Sequence, residues 1–138
     1  MNKGRDFRIV NEILTTKLKN EKHPGFRFLA NYVNFNIYNK SNRTIIEFWC
    51  DKIDKKSDNN VTVYRRSDEI EFHSASIIFS DHKRLPKMLE AVCYECLQKL
   101  IDKLNLTNED YQFLCKIDNP KIYKEFIRPN KEINTKNE

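Results

Sequence analysis

Two thiols three residues apart, in Cys93-Tyr94-Glu95-Cys96, come nearest to a ligand or redox motif in this chain. Thiolates at that spacing can hold zinc, and Cys50, Cys115 or His73 could complete a tetrahedral set. No second Cys-x-x-Cys exists. At 100° per residue both sulfurs fall in the same helical sector as Leu89, Val92, Leu97, Leu100 and Leu104. A free cysteine in such a sector packs as a small hydrophobe. We therefore read the pair as core, and expect no metal and no cofactor. The zinc deaminase signature also fails, because Val92 stands where it needs Pro and no His-x-Glu occurs.

The remaining titratable groups form no catalytic set. His23 lies in a turn sequence and His82 in a polar link, while His73 stands beside Glu71 with no nucleophile in sight. Asp68, Glu69 and Glu71 invite comparison with metal-dependent nucleases, yet no Glu-x-Lys follows them. Glycine is confined to Gly4 and Gly25, neither in a phosphate-cradling loop. Phosphate-binding loops, dinucleotide fingerprints and nucleophile elbows all need glycine for close backbone approach, so those classes are excluded.

What is left is surface. The net charge of +5 is concentrated early: residues 1–30 carry seven Lys/Arg against three acids. Arg5, Arg8 and Lys19 share one face of the first predicted helix, with Glu12 among them, and Arg65-Arg66 flanks a predicted hairpin turn. These are the candidate anion or nucleic-acid contacts. Trp49 alternates out of phase with Phe48, so the two rings face opposite sides of a strand, and Tyr32, Tyr38 and Tyr64 could join Trp49. If helices cover one face of the sheet only, these rings form an exposed aromatic anchor for a protein partner. If the terminal helices fold over that face, Trp49 is core.

The elements that would position these residues follow from periodicity. The 138 residues suffice for a single domain, predicted over 1–127 with a disordered tail over 128–138. Phe7, Val10, Leu14 and Leu18 predict a helix over 6–20, which His23-Pro24-Gly25 stops. From residue 26 the period becomes two. Strands are predicted around Val33–Tyr38, over Thr44–Cys50, over Val61–Arg66 and over Ile70–Phe79. A polar loop spans Lys52–Asn60, a tight turn sits at Ser67-Asp68, and a bulge falls near His73–Ser74. Pro86–Leu104 is a one-sided closing helix. Thr107 or Asn108 caps a short helix through about Ile117, and Asn119-Pro120 restarts a brief one through Phe126. The fold class is α+β: one antiparallel four-stranded meander flanked by an N-terminal helix and a long closing helix, with short C-terminal helices.

No apolar run is long enough to cross a bilayer and the N-terminus lacks the apolar stretch of a signal peptide. The expectation is a cytoplasmic protein with reduced thiols, no membrane partner, and Asn-x-Ser/Thr matches that arise by chance in an Asn-rich chain.

The order helix, four strands, helix over roughly residues 5–104, closed by Pro86, Leu89 and Ala91 or Val92 in a Pro-x-x-Leu-x-x-Ala-like helix, resembles small α–β–α sandwich proteins of phage and mobile elements. The Lys/Asn/Ile-rich, Gly-poor composition suits an AT-rich phage or bacterial genome. The resemblance implies a binding protein rather than an enzyme, with no functional residues to transfer: an inhibitor or adaptor of the anti-CRISPR type, acting on a host protein or nucleoprotein in the host cytosol. The alternative is a direct RNA- or DNA-binding domain. Its element order is similar to that of double-stranded RNA-binding domains, though the closing helix opens with only Lys83, Arg84 and Lys87 beside Asp81 and Glu90.

Overall fold

Buried side chains recur at every fourth position in the first helical run, at Asp6, Val10, Leu14 and Leu18. A straight α-helix would rotate such a row by about 40° per step. A computed structural model, which describes residues 3–78 and 84–130, shows how the chain avoids that drift. Helix α1 (Lys3–Glu12) passes into a π-helical turn at Ile13–Lys17 and a 3-10 turn at Leu18–Asn20. The wider π turn keeps Leu14 and Leu18 in line. At the transition the Glu12 carbonyl accepts from the Thr15 and Thr16 hydroxyls, at 3.2 and 2.6 Å.

His23-Pro24-Gly25 ends that run, but it also starts another. Helix α2 (Pro24–Tyr32) replaces the extended chain predicted from residue 26: Pro takes the first helical turn, and His23 caps it by accepting the Gly25 N–H on Nδ1 at 2.9 Å. Phe28, Leu29 and Tyr32, at helical spacing, are buried. Gly25 is required by proximity. A Cβ there would stand 3.0 Å from Ile101 Cδ1 and closer still to the His23 ring.

The four-stranded antiparallel meander is present, in the order β1-β2-β3-β4, but its strands are divided differently. β1 (Asn34–Lys40) joins β2 (Arg43–Ser57) through Ser41 and Asn42, both at positive φ as a two-residue type I′ hairpin turn requires. The expected loop at Lys52–Asn60 is strand as far as Ser57. The true turn is short, with Asp58 Oδ1 accepting the Asn60 and Val61 N–H groups at 2.7 and 2.8 Å. β3 (Val61–Ile78) runs through the expected turn at Ser67-Asp68 and absorbs both the third and fourth predicted strands; Phe79 lies outside the described residues. The phase change expected at His73–Ser74 falls instead between Asp51 and Ile53, opposite Arg66–Ile70. The actual fourth strand, β4 (Glu125–Pro129), lies where a brief helix through Phe126 and the start of a tail were expected; only Pro120–Ile122 is helical, as a 3-10 turn. Asn130 N–H continues the ordered chain by donating to the Asn60 carbonyl at 2.8 Å. Residues 131–138, the rest of the predicted tail, lie outside the description, as do His82 and Lys83.

Helix α3 (Leu85–Leu104) packs against β3 and β2, burying Leu89, Cys93, Cys96, Leu97 and Leu100. Helix α4 (Asn108–Leu114) opens with the predicted cap: the Thr107 hydroxyl accepts the Asp110 N–H, and the Asp110 carboxylate accepts the Thr107 N–H. The long β2–β3 hairpin is thereby shared by two halves. Its near half, residues 43–51 with 70–78, carries β1 and rests on α3. Its far half, residues 53–57 with 61–66, carries β4 and sends Tyr64 and Lys55 to α4.

Candidate interaction surface

The register sorts the near half into two faces. Phe35, Ile37, Ile46, Phe48, Cys50, Ala75 and Ile77 point to the helices, and Phe7 of α1 stacks on Phe35 with ring centres 4.6 Å apart. The opposite face carries Tyr38, Ile45, Glu47, Trp49, Ile70, Phe72, Ser74, Ser76 and Ile78. The 3-10 turn at Pro120–Ile122 reaches only its Asn34 end, where Lys121 Nζ donates to Asn34 Oδ1 at 3.0 Å and borders the half-buried Trp49. Trp49 pairs directly with Phe72, and Ile70 follows one pleat along; Ile70 is 55% and Phe72 42% exposed. Toward the β1–β2 turn Ile78, 57% exposed, stands opposite Arg43, whose Nε donates to Ser76 Oγ at 2.9 Å between Ile78 and Ile45. Between Phe72 and Ile78 runs a polar belt of Glu47, Ser74, Ser76 and Arg43. Tyr38 donates its hydroxyl to Glu47 at 3.2 Å; desolvation, and after it this bond, raises the phenol pKa.

Trp49 and Tyr38 therefore lie on one face, as the alternation anticipated, while Tyr32 and Tyr64 leave the set because both are buried. Tyr32 belongs to α2, and donates to the Asp51 carbonyl at 3.0 Å where the strands change phase. Arg66 closes the same junction. Its Nε donates to Asp51 Oδ2 at 2.8 Å, its Nη1 to the Lys121 and Tyr123 carbonyls, and its guanidinium lies 5.7 Å from the centre of the Tyr32 ring. Arg66 thus holds the kink together, and is not presented to an outside anion.

Tyr64 sits at the heart of the far half. Its hydroxyl donates to Asp110 Oδ1 at 2.6 Å and accepts from Arg128 Nε at 3.0 Å, and its ring stacks on Phe113. Asp110 is fully buried and also takes Lys55 Nζ at 2.8 Å. Burial alone would raise the Asp110 pKa, but the hydrogen bonds from Lys55, Tyr64 and Thr107 outweigh it and hold the carboxyl below the usual range. Burial, then the bond to Asp110, pushes the Tyr64 phenol well up. Each member serves as another's partner, so the cluster is structural.

The other basic candidates separate. Arg5 donates to the buried Asp6 from Nε and Nη2 at 3.1 and 3.0 Å, leaving Asp6 Oδ2 without a hydrogen-bond partner among the described residues. Arg8 and Lys19 are exposed, but the π turn between them means that one 100° period no longer sets their common face. Arg65 makes an exposed pair with Glu125 at 2.9 Å. A denser basic site lies elsewhere: an open groove of about 590 Å³ between β2 and the end of α3, where Lys52, Lys55, Lys56 and Lys103 converge. In the sequence Lys55-Lys56 stands out as a basic pair in an expected loop; only the strand through Ser57 and the end of α3 bring Lys52 and Lys103 to it.

Cys93 and Cys96 lie in the core, as their helical sector required. Burial pushes the Cys96 and Cys50 thiols up to about 12 and Cys93 higher still, so neither sulfur of the motif is a thiolate near neutral pH. No group of three or more His, Cys, Asp or Glu with metal-binding geometry occurs among the described residues, and no described helix is long and apolar enough to cross a membrane. Comparison of the chain with protein-family models, with curated proteins and with solved structures finds no match.

Proposed function

We propose that this chain is a non-catalytic binding protein, and that its partner surface is the outer face of the near half of the sheet. The supporting observation is the apolar pair Ile70 and Phe72, 55% and 42% exposed, beside the half-buried Trp49 on the sheet face opposite α3. A monomer gains nothing by exposing such residues in contact, whereas a desolvated aromatic anchor contributes about 2 kcal/mol or more to an interface. In the phage-type role suggested by the layout, the partner is a host protein or nucleoprotein complex. Capture from a host lysate with wild-type protein and with Phe72→Asp tests the reading. We expect a nuclease-resistant partner retained by the wild type and lost by the variant. Equal capture by both would sink it.

A second reading rests on the groove of Lys52, Lys55, Lys56 and Lys103, whose charge suits a nucleic-acid backbone. It predicts binding that falls steeply with salt and collapses on Lys56→Glu/Lys103→Glu, while Phe72→Asp has little effect. Its weakness is that Lys55 is committed to Asp110 and Lys103 to the Phe72 carbonyl.

A further inference from the structure

The type I′ turn fixes which backbone groups of the near half are free. A two-residue hairpin closes on a hydrogen-bonded pair, here Lys40 and Arg43, and the pattern alternates from there. Arg43, Ile45, Glu47 and Trp49 therefore bond β1, and Thr44, Ile46, Phe48 and Cys50 bond β3 through Ile77, Ala75, His73 and Glu71. The N–H and C=O groups of Ile70, Phe72, Ser74, Ser76 and Ile78 point away from β2. β4 pairs with β3 only from Val61 to Arg65, with one further bond at Arg66. From Ile70 to Ile78, no described strand lies alongside. The Lys103 ammonium, which donates to the Phe72 carbonyl, supports the assignment, because that carbonyl is among those left facing outward.

Natural sheets guard their edges with short strands, charges or proline. The two nominal edges here follow that rule: β1 is polar along its outer row and ends in Lys40, and β4 is short and ends in Pro129. The free stretch of β3 is guarded only from its helix-facing side, by Glu71 and by the Lys103 ammonium on the Phe72 carbonyl. Its outer row carries no charge and displays Ile70, Phe72 and Ile78.

We propose that this edge pairs antiparallel with the same edge of a second copy, about a two-fold axis at Ser74. In that register, Ile70 lies opposite the partner's Ile78 and Phe72 opposite the partner's Ser76. Every pair then involves residues whose N–H and C=O face outward, so the ladder closes without rearrangement. The Phe72 carbonyl has a second lone pair for the N–H of the partner's Ser76. The apolar pattern supports a second copy over an unrelated strand, because the axis sets each exposed Ile78 against the partner's exposed Ile70. The helix behind the edge is also matched. Glu95, Lys99 and Lys103 all act on the charge of His73 and so flank the strand. With Lys103 at Phe72, rises of about 1.5 Å per helical and about 3.3 Å per strand residue put Lys99 near the level of Ser74. The axis then sets Glu95 level with the partner's Lys103, and Lys99 level with the partner's Lys99.

Sedimentation velocity on the full chain, from micromolar to several hundred micromolar, should show a reversible dimer of twice 16.6 kDa. Ser74→Pro removes an N–H that takes no part in the β2 ladder, and should give a monomer with unchanged circular dichroism. Should that variant fail to fold, Ile70→Lys/Ile78→Lys places like charges opposite each other and should weaken the dimer at least tenfold, whereas Ile70→Lys/Ile78→Glu should retain it. Ser74→Cys should cross-link the two copies on oxidation. A wild-type monomer at every concentration, a dimer insensitive to Ser74→Pro, or a monomer whose edge takes up only foreign extended peptides would each overturn the proposal. Lysate capture by an obligate monomer would leave the proposed function standing while removing this pairing.

Discussion

One pair of strands runs through both halves of the sheet, and the two halves treat polarity in opposite ways. In the near half, the helix-facing row is apolar and buried along Ile46, Phe48 and Cys50, with half-buried Glu71 and His73 beside them on β3, while apolar side chains also stand in solvent on the other face. In the far half, the helix-facing row carries Lys55, Tyr64 and Arg128, converging on the buried Asp110. The far half stays folded through a closed set of hydrogen bonds. The near half is stabilised by α3 and leaves its outer face available. The phase change at Asp51–Ile53, clamped by Arg66, lets one hairpin do both.

If that division holds, the largest loss should come from the far half. Asp110→Ala leaves the Tyr64 hydroxyl and two cations without their acceptor, and should cost about 3 kcal/mol; Lys55 can turn to solvent, which keeps the value at the low end for a broken buried pair. Chemical denaturation reads this directly. The same carboxyl gives a pH signature. Its folded pKa lies below the unfolded value of about 3.9, so its contribution is complete above that pH and is lost as pH falls through the folded pKa. Wild-type stability should therefore drop more steeply below about pH 4 than that of Asp110→Ala, and parallel acid curves would remove Asp110 from this role.

Leu89, fully buried in α3, is the near-half counterpart. Leu89→Ala should destabilise by about 2–5 kcal/mol through lost transfer energy and a cavity. A loss below about half a kcal/mol would mean that α3 is not packed on the sheet as described. At the junction, Arg66→Ala should cost about 2 kcal/mol, the scale of hydrogen bonds to a charged group, and should leave both halves folded. Hydrogen exchange would report the effect, with faster exchange concentrated around Asp51–Ile53 and Arg66–Ile70.

The smallest effect on stability should be the most informative for function. Phe72→Ser and Ile70→Ser change exposed side chains and should shift unfolding by no more than about 0.5 kcal/mol. If they destabilise as much as Leu89→Ala, the outer face is covered and the contrast between the halves fails.

Much of this was legible beforehand. The alternation around Ile46, Phe48 and Cys50, the one-sided helix holding Cys93 and Cys96, and the Thr107 cap are local patterns tied to a face or a terminus, and each is present. Lys52–Ser57 was not legible as strand, because Lys55 faces inward toward Asp110, more than fifty residues away in sequence; a lysine at an inward position erases the hydropathy alternation. Helix α2 was hidden behind Pro24-Gly25, a pair that reads as a stop unless the His23 cap and the Phe28, Leu29, Tyr32 spacing are weighed together. β4 has one buried apolar residue, Phe126, too few to reveal a period.

The sequence by itself determined which residues seek burial, how the long helix is oriented about its axis, and that Trp49 and Phe48 face opposite ways. These follow from covalent periodicity, 3.6 residues per turn or two per pleat, and need no distant partner. Tertiary structure alone decided that Tyr32 and Tyr64 are interior, that Arg66 and Arg5 serve the fold, and that β4 stops at Arg66 and leaves the Ile70–Ile78 edge with no described strand beside it. Those outcomes depend on contacts between segments far apart in the chain, where a charged or aromatic side chain is worth whatever partner the fold brings to it.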